Sequence, residues 1–256
     1  MNILFTICGR AGSKGCKSKN VRSFHGVPLV YHSLAAIKLY IDTHTNDNVM
    51  VALNTDSAEL KKLVGAQKMI GNIIEVPRKE ELADSVSAKG DVIRDTYLNI
   101  KAQHQNIDVV VDLDITSPIR KLADIENAIA EYSSNADYDV VFSVVPSRKN
   151  PYFNMVEAIG DGFYKKVCPS NYTARQQTPA IYDLNASIYA YRPTFLDKPL
   201  EKTLLDYRCG ISIMQDYLVL DIDSEEDFEM MEYLYAHYVE HDADLKKVFE
   251  TARAGF

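Results

Sequence analysis

The regular alternation of short apolar segments with longer amphipathic segments is the feature that most constrains how this chain folds. Runs typical of strands lie at residues 2–8, 49–53, 72–76, 107–114, 138–145, 185–191 and 217–223. Runs typical of helices, with apolar residues every three to four positions, lie at 28–40, 57–64, 89–104, 121–132, 225–239 and 242–252. This alternation predicts βαβ units and therefore an α/β fold with a mainly parallel sheet. In such sheets ligands bind beyond the carboxyl ends of the strands.

The loop that follows the first predicted strand is both glycine-rich and basic. Residues 8–20 read Cys-Gly-Arg-Ala-Gly-Ser-Lys-Gly-Cys-Lys-Ser-Lys-Asn, with three glycines, one arginine and three lysines. Glycines let the backbone turn N–H groups toward a ligand, and the cations supply opposite charge. The loop is therefore suited to a polyphosphate, although a solvated basic loop would have the same composition.

The spacing of the glycines excludes two common nucleotide loops. A P-loop requires Lys and then Ser or Thr directly after its last glycine, whereas Cys16 follows Gly15. The dinucleotide motif requires G-x-G-x-x-G, whereas Gly9, Gly12 and Gly15 are three residues apart. The sequence therefore predicts a different class of nucleotide loop.

The overall charge makes this basic loop more informative. The chain of 256 residues has a formal net charge of −8, which disfavours non-specific binding to nucleic acid. The loop nevertheless concentrates four cations in one short segment: Arg10, Lys14, Lys17 and Lys19. The four cysteines form no C-x-x-C pair, and no apolar run approaches the length of a membrane span. We therefore expect a soluble, cytoplasmic protein with reduced thiols and with neither nucleic-acid nor membrane partners.

Two aspartates in the last predicted strand suggest a metal site. Asp221 and Asp223 alternate by two, so both would project from one face of a strand end. Two close carboxylates repel each other unless a cation separates them, and hard oxygen ligands suit Mg²⁺ shared with substrate phosphates. One of them could instead cap the helix that follows, where Ser224 and Asp227 have nearly the spacing of a capping box.

A second polar cluster follows the strand predicted at 107–114. Thr116, Ser117 and Arg120 lie directly after its end, where hydroxyl and guanidinium groups could contact a ligand. An ordinary turn before a helix would have the same residues.

The rhythm of strands and helices breaks between residues 146 and 184. Strand-like runs at 152–157 and 162–167 are joined there by turn residues. We interpret residues 1–256 as one domain, with 146–184 as an inserted β-rich arm that is a candidate for oligomerisation. Arg175 and Gln176 lie in this arm, and the arginine could pair with a carboxylate.

Taken together, these motifs resemble those of the acylneuraminate cytidylyltransferases, the CMP-sialic acid synthetases. The resemblance extends in order from residue 3 to about residue 227. It rests on Gly-Arg-Ala-Gly-Ser-Lys-Gly at 9–15, Lys19-Asn20, Arg78 with Glu-Leu-Ala-Asp at 81–84, Thr-Ser-Pro-Ile-Arg at 116–120, Arg175-Gln-Gln, Asn-Ala-Ser-Ile-Tyr at 185–189, and Asp221-Ile-Asp223.

The resemblance implies a three-layer, Rossmann-like nucleotidyltransferase fold and a homodimer formed through the β-rich arm. It implies that CMP is transferred from CTP to the anomeric hydroxyl of a nine-carbon sugar acid, an α-keto acid, with release of pyrophosphate. Residues implied to contact CTP are Arg10, Ser13, Lys14, Lys19, Asn20, Arg78 and Ser87, and those implied to hold Mg²⁺ are Asp221 and Asp223. The implied catalytic residues are Arg10, Lys14, Lys19 and Asp223, and the implied acceptor site comprises Asp114, Thr116, Ser117, Asn185, Tyr189, Gln176 and, from the partner subunit, Arg175.

The chain also departs from the usual pattern of this family. The family usually has Ala at the position of Gly9, Gln-Pro at the position of Asp114-Ile115, and Asn-Gly at the position of Asn185-Ala186. Asp114 and the run at 150–156 are more similar to the bacterial branch that uses legionaminic-type sugars. Two alternatives stay open: transfer of CMP to another sugar acid such as Kdo, and a CTP-binding sensor without turnover.

Overall fold

The structure is a computed structural model that describes residues 1–13, 15–84, 88–104, 106–218 and 220–256. Its strands are β1 (Asn2–Cys8), β2 (Ser23–Phe24), β3 (Val27–Pro28), β4 (Asn48–Thr55), β5 (Ile74–Pro77), β6 (Val109–Leu113), β7 (Val140–Pro146), β8 (Val156–Gly160), β9 (Phe163–Lys166), β10 (Tyr182–Tyr191) and β11 (Cys209–Ile213). Its α-helices are α1 (Leu29–Thr43), α2 (Ala58–Ala66), α3 (Lys89–Lys101), α4 (Leu122–Ser134), α5 (Pro193–Leu196), α6 (Glu225–His241) and α7 (Ala243–Ala254).

Seven of the described strands form the central sheet, in the order β11-β7-β10-β6-β1-β4-β5. The pairs β1–β4, β1–β6, β4–β5 and β7–β11 are parallel. Only β10 among these seven runs antiparallel to its neighbours. The prediction of a mainly parallel sheet is therefore confirmed, and the loops after β1 and β6 lie side by side at one edge.

Helices cover both faces of this sheet and make three layers. On one face α1, α4, α6 and α7 pack over side chains such as Phe5 and Val111. On the other face α3 and α5 pack over Leu4 and Val110. Neighbouring residues of one strand point to opposite faces, so the continuous apolar runs of β1 and β6 fill both cores.

The start of α6 confirms the capping box predicted from the sequence. The Ser224 hydroxyl accepts a hydrogen bond from the Asp227 N–H at 3.1 Å, and the Asp227 carboxylate accepts one from the Ser224 N–H at 2.8 Å. Both groups satisfy donors that a helix N-terminus otherwise leaves unpaired. The cap therefore fixes the chain direction directly after Asp223.

The strand predicted at 217–223 is wrong, and the strand at the edge of the sheet is β11 instead. The described residues of that segment form a 3₁₀ turn, Asp216–Leu218, followed by irregular chain. The segment crosses the carboxyl edge of the sheet, where the Ile222 N–H donates to the Thr116 carbonyl at 3.0 Å. Its alternating apolar residues reflect packing of Leu218 and Ile222 into the core without a strand partner.

The region at 146–184 contains a β-hairpin, β8 and β9, that forms its own two-stranded sheet. The first strand begins at Val156, later than the predicted start at residue 152, and β10 begins at Tyr182, before the predicted start at residue 185. The assignment of one domain with an inserted arm stays a prediction. None of the described helices combines the length and apolarity that crossing a membrane requires.

Candidate active site

A cavity of about 240 Å³ lies at the carboxyl edge of the sheet, beyond the ends of β1, β5 and β6. It brings together seven residues predicted from separate motifs: Arg10, Lys19, Asn20, Arg78, Asp114, Thr116 and Asp221. These residues come from positions more than 200 apart in the chain, so the order of the strands gathers them. The edge predicted to bind a ligand is therefore the edge that holds the cavity.

The basic loop, residues 9–20, packs directly against the segment at 221–225. A Cβ atom at Gly15 would lie 2.0 Å from the Asp223 carbonyl oxygen, so only glycine permits this approach. The Lys17 N–H donates to the Glu225 carboxylate at 3.1 Å. Gly12 has a φ of 69°, which glycine adopts without strain. The close approach at Gly15 and the positive φ of Gly12 explain two of the three glycines of the loop.

Lys19 links this loop to the predicted metal ligands. Its ammonium donates to the Ile222 carbonyl and forms an ion pair with Asp223 at 3.0 Å. The side chain of Asp223 is 79% exposed, whereas that of Lys19 is 18% exposed. Ser13 supports the same lysine, because its hydroxyl accepts the Lys19 N–H at 3.2 Å and donates to the Cys16 carbonyl at 2.5 Å.

Arg10 and Asn20 hold the two ends of the basic loop together. The Asn20 amide donates to the Arg10 carbonyl at 3.0 Å. The guanidinium of Arg10 contacts only the Gly12 carbonyl, at 3.2 Å, among the hydrogen bonds found in the described residues. Arg10 therefore presents a cation to the cavity with most of its donors available to an anion.

Arg78 is fixed by Asn54, which the sequence interpretation did not include. The Arg78 Nε donates to Asn54 Oδ1 at 2.9 Å, and its Nη2 donates to the Asn54 carbonyl at 3.3 Å. Asn54 is fully buried at the end of β4. Two hydrogen bonds from one guanidinium set its orientation, so Arg78 enters the cavity in a defined direction.

Asp114 is held from two sides. Its Oδ1 accepts hydrogen bonds from the Thr116 N–H at 2.9 Å and from the Thr116 hydroxyl at 2.7 Å, and its Oδ2 forms an ion pair with Lys89. Burial alone would raise the pKa of Asp114, but the Lys89 ammonium outweighs that effect and lowers the pKa to about 2. Asp114 is therefore ionised at neutral pH.

Asp221 has an oxygen that lacks a partner. Its Oδ1 is buried and accepts no hydrogen bond from the described residues. Burial, with the nearby charge of Asp114, raises the pKa of Asp221 to about 6. A cation at this oxygen would relieve both effects. No group of three or more His, Cys, Asp or Glu side chains in the described part of the chain could hold a metal, so substrate and water oxygens would complete the shell of Mg²⁺.

Arg120 supports the loop that carries these acids. The side chain is fully buried and donates to the carbonyls of Asp114, Ser117 and Ser187 and to the hydroxyls of Ser187 and Ser33. Burial lowers the pKa of Arg120 to about 10, so it remains charged at neutral pH. This residue orients the cavity wall from behind and does not line it.

Three predicted acceptor residues lie behind the cavity wall. Ser117 is buried and donates to the Asn185 carbonyl at 3.1 Å. The Asn185 side chain points into the interior, where it accepts from Ser143 at 2.6 Å and donates to the Leu218 carbonyl at 3.1 Å. Tyr189 lies beneath Lys89, with its ring centre 5.1 Å from the ammonium. Their contact with an acceptor stays a prediction.

Arg175 and Gln176 lie in a separate depression of the chain, beside Ser147 and Ile213. The Arg175 guanidinium donates to the Ser147 carbonyl at 2.7 Å. A single chain therefore does not bring these two residues into the cavity, and the predicted role of Arg175 concerns a partner subunit. Lys14 and Ser87, both predicted to contact CTP, lie outside the described residues.

Lys89 and Cys8 line the cavity but were missed by the sequence interpretation. Lys89 is the first residue of α3, and a lysine at a helix start gives no signal by itself that its charge is used. Cys8 ends β1 and is a strand residue like its neighbours in sequence. Only the tertiary structure, which packs β1 beside β6 and the start of α3 against the end of β6, places the thiol near Asp112 and the ammonium beside two aspartates.

The charges of this arrangement suit a phosphorylated ligand. Arg10, Lys19 and Arg78 offer positive charge, while Asp114 and Asp221 offer carboxylate oxygens on the other side. Developing negative charge on phosphoryl oxygens is stabilised by fixed cations of this kind.

Comparisons with known proteins show which family this chain resembles. The family model described as cytidylyltransferase matches residues 4–248. Post-translational flagellin modification protein B of Campylobacter coli is 35% identical over 91% of this chain and 94% of its own length. The CMP-N,N'-diacetyllegionaminic acid synthase of Campylobacter jejuni is 34% identical over 91% of this chain and 94% of its own length.

A more distant relative and a solved structure extend the picture. The N-acylneuraminate cytidylyltransferase of Streptococcus agalactiae serotype V is 28% identical over 97% of this chain, which corresponds to 57% of that protein. The CMP:2-keto-3-deoxy-manno-octonic acid synthetase complexed with CTP has a TM-score of 0.65 at 15% identity, over 93% of this chain and 99% of that one. That likeness confirms the nucleotidyltransferase fold. The resemblance to the bacterial branch of the acylneuraminate enzymes is confirmed as well, and the chain belongs to the cytidylyltransferase family of nucleotidyltransferases.

Proposed function

We propose that this protein transfers CMP from CTP to the anomeric hydroxyl of a nine-carbon sugar acid of the legionaminate or N-acetylneuraminate type and releases pyrophosphate. The observation that carries the proposal is the cavity, in which Arg10 and Lys19 of the basic loop, together with Arg78, face Asp114 and the unpartnered oxygen of Asp221. The cytidylyltransferase family of this chain, and a relative at 34% identity named as a CMP-N,N'-diacetyllegionaminic acid synthase, support the same reaction.

The reaction breaks the bond between the α- and β-phosphates of CTP as the sugar hydroxyl bonds to the α-phosphorus. Pyrophosphate leaves with its electrons, and the hydroxyl proton passes to solvent or base. Such a transfer depends on positioning and on neutralising phosphoryl charge. We assign phosphate contacts to Arg10, Lys14, Lys19 and Arg78. Ser13 and Asn20 hold the loop in shape, and a serine near Ser87 contacts the cytosine.

We assign Mg²⁺ to Asp221 and Asp223. Asp221 offers a buried oxygen without a partner, and Asp223 offers an exposed carboxylate beside Lys19. When bound, the ion would neutralise charge on phosphoryl oxygens. The chain's own residues position it, because the basic loop packs against the backbone of Asp223 and the capping box of α6 fixes the residue that follows.

The choice of a legionaminate-type acceptor rests on Asp114 and on the relatives. Asp114 replaces the glutamine usual in the family, and it lines the cavity as an ionised group. A relative that shares 34% of its residues is named for N,N'-diacetyllegionaminic acid. Thr116 lines the cavity beside Asp114, and Ser117, Asn185 and Tyr189 support the wall from behind, so we assign the shape of the acceptor pocket to these four residues.

The test is an acceptor panel with CTP and Mg²⁺. Pyrophosphate release and formation of the CMP-sugar are measured with N,N'-diacetyllegionaminate, N-acetylneuraminate and Kdo. We expect the highest kcat/KM with N,N'-diacetyllegionaminate. Faster turnover of Kdo would overturn the acceptor assignment, and binding of CTP without turnover of any acceptor would overturn the reaction.

The assignment of Mg²⁺ to Asp221 and Asp223 can be tested by substituting one of them. Asp223→Ala should reduce the rate by about 10²–10³-fold, since it removes a charge contact made in the transition state. Asp216→Ala is the matched control, because Asp216 is also an exposed aspartate in an ion pair, with Arg148 at 3.1 Å, yet does not line the cavity. A full rate for Asp223→Ala contradicts the assignment.

We also propose a cytoplasmic homodimer formed through the β8–β9 hairpin. Val156, Ile159, Phe163 and Tyr164 of this hairpin are 55–68% exposed, which a monomer would leave as an apolar patch. Arg175 and Gln176 would then reach the acceptor of the partner subunit. Phe163→Ser with Val156→Ser should yield a monomer in light scattering, whereas Leu205→Ser, equally exposed elsewhere, should not. An unchanged mass for the double variant contradicts the interface.

A further inference from the structure

A buried ion cluster at the carboxyl end of β6 is not explained by the roles given so far. The Lys89 ammonium lies 2.9 Å from Asp112 Oδ2 and also contacts Asp114 Oδ2. Asp112 is fully buried, and the Lys89 side chain is 30% exposed, toward the cavity. One cation therefore lies at a point that two carboxylates share.

The position of Lys89 disfavours a purely structural reason for this cluster. Lys89 is the first residue of α3, where the partial positive charge of a helix N-terminus makes a lysine unfavourable. The residue before it, Ala88, provides no side-chain cap. Buried ion pairs are also seldom more stable than apolar residues of the same volume. A role of the cluster at the cavity therefore explains it better than a contribution to stability does.

Three of the four oxygens of the two aspartates accept hydrogen bonds, and the fourth, Asp112 Oδ2, accepts none but lies 2.9 Å from the Lys89 ammonium. Asp112 Oδ1 accepts from the Thr6 hydroxyl at 2.7 Å, and Asp114 Oδ1 accepts twice from Thr116. Their two remaining oxygens both face the Lys89 ammonium. Among the carboxylates that line the cavity in the described part of the chain, Asp221 alone has a buried oxygen without a hydrogen-bond partner.

We propose that Lys89 is a positioning residue whose ammonium takes the place of a second divalent cation between Asp112 and Asp114. It thereby restricts the site to the one Mg²⁺ assigned to Asp221 and Asp223. The inference rests on the proposed function, which supplies the cation at Asp221. It goes further by assigning a role to Lys89. Without the ammonium, two carboxylates directed at one point would repel each other and would bind a cation from solution.

The expected consequence is a change in the number of cations bound. Without CTP or acceptor, Lys89→Met should bind one more Mn²⁺ per chain than the wild type, as counted by electron paramagnetic resonance at neutral pH. Lys89→Arg keeps the charge and should bind the wild-type number. Lys89→Met with Asp112→Asn removes one of the two carboxylates together with the lysine, so it should return to the wild-type number.

A thermal readout keeps the test informative if the variant is unstable. Removing one partner of a buried ion cluster should lower the Tm of Lys89→Met by on the order of 10 °C in EDTA. Mg²⁺ should recover most of this loss in Lys89→Met and should raise the wild-type Tm much less. Lys101→Met is the matched control, since Lys101 ends the same helix in an ion pair with Asp197 at 2.6 Å, and it should gain neither a cation nor a Mg²⁺-dependent Tm.

Two results overturn the inference: a wild-type Mn²⁺ count in Lys89→Met, and a Tm loss that Mg²⁺ does not recover. Failure of the proposed function is distinguishable from either result. A wild-type protein that turns over no acceptor, while Lys89→Met gains a cation, contradicts the function and leaves the role of Lys89 intact. Normal turnover by the wild type with no extra cation in Lys89→Met contradicts only the role of Lys89.

Discussion

The cavity has two walls that differ in how their side chains are held. The β6 wall comprises Asp112, Asp114, Thr116 and Lys89, with Arg120 behind them, and the loop wall comprises the basic loop at 9–20 with Asp223. Asp112 and Arg120 are fully buried, whereas the Asp223 side chain is 79% exposed. Arg120 alone donates to three carbonyls and two hydroxyls, whereas the Arg10 guanidinium donates to one carbonyl.

This difference separates two physical tasks. The β6 wall is part of the core, so its polar groups must satisfy one another and their geometry is fixed before a ligand arrives. The loop wall keeps donors available, so its groups can contact a phosphate. Substitutions in the β6 wall should therefore reduce stability, and substitutions in the loop wall should reduce the rate.

The largest effect is expected for Arg120→Met, which leaves buried carbonyl and hydroxyl groups without their donor. We expect a loss of about 3–5 kcal/mol in the free energy of unfolding, measured in urea. Arg148→Met, which breaks an exposed ion pair, should cost at most about 1 kcal/mol. Equal losses for the two arginines would show that the β6 wall is no more fixed than the surface.

The next largest effect is expected for Lys19→Met in the loop wall. It should reduce the rate at saturating CTP by roughly 10²–10³-fold, because the lysine offers its charge to phosphoryl oxygens. The free energy of unfolding should change by about 1 kcal/mol or less, since the partner Asp223 is exposed. Lys38→Met, which breaks an exposed pair with Asp42, is the control for charge loss alone. A large loss of stability without a loss of rate would reverse the comparison.

A pH-dependent effect of intermediate size is expected for Asp114. Its pKa is about 2 in the folded protein, below the value of about 3.9 in an unfolded chain, so the folded state favours the charged form. This contribution is fully present above about pH 5 and is lost as the pH falls from about 4 to 2, for a total of roughly 2–3 kcal/mol. Urea unfolding in EDTA across that range should show a shallower pH dependence for Asp114→Asn. The same slope in both proteins contradicts the pKa shift.

The smallest effect is expected for Ser13→Ala within the loop wall. The hydroxyl that links the Cys16 carbonyl to the Lys19 N–H is lost, which costs about 0.5–1.5 kcal/mol. Because the loop would hold Lys19 less firmly, KM for CTP should rise by roughly 3–10-fold at that cost. Ser18→Ala is the control, since Ser18 is exposed and provides no side-chain cap. An equal rise in KM for both variants would show that Ser13 has no special role.

Several parts of this description followed from sequence alone. The periodicity predicted the βαβ core, because strands and helices repeat their apolar residues at different intervals. The capping box at Ser224 was predictable because its partner lies three residues away. The basic loop was found because its cations are concentrated in one segment of a chain with a negative net charge. The carboxylates were found because Asp221 and Asp223 are two residues apart.

Other parts were decided only by the tertiary structure. The run at 217–223 alternates like a strand, yet it crosses the sheet edge because its apolar side chains pack without a strand partner. Asn54 fixes Arg78 because β4 and β5 are neighbours, and nothing in the sequence states that pairing.

Lys89 is the clearest example of a residue whose place in the cavity could not be predicted from the sequence. The sequence by itself determined most of the strands and helices, although not β11, and which loops carry charge, because those properties depend mainly on neighbouring residues. The tertiary structure decided that an ammonium from the start of α3 lies between Asp112 of β6 and Asp114 just beyond it, because contacts between distant segments depend on how the whole sheet and its helices pack.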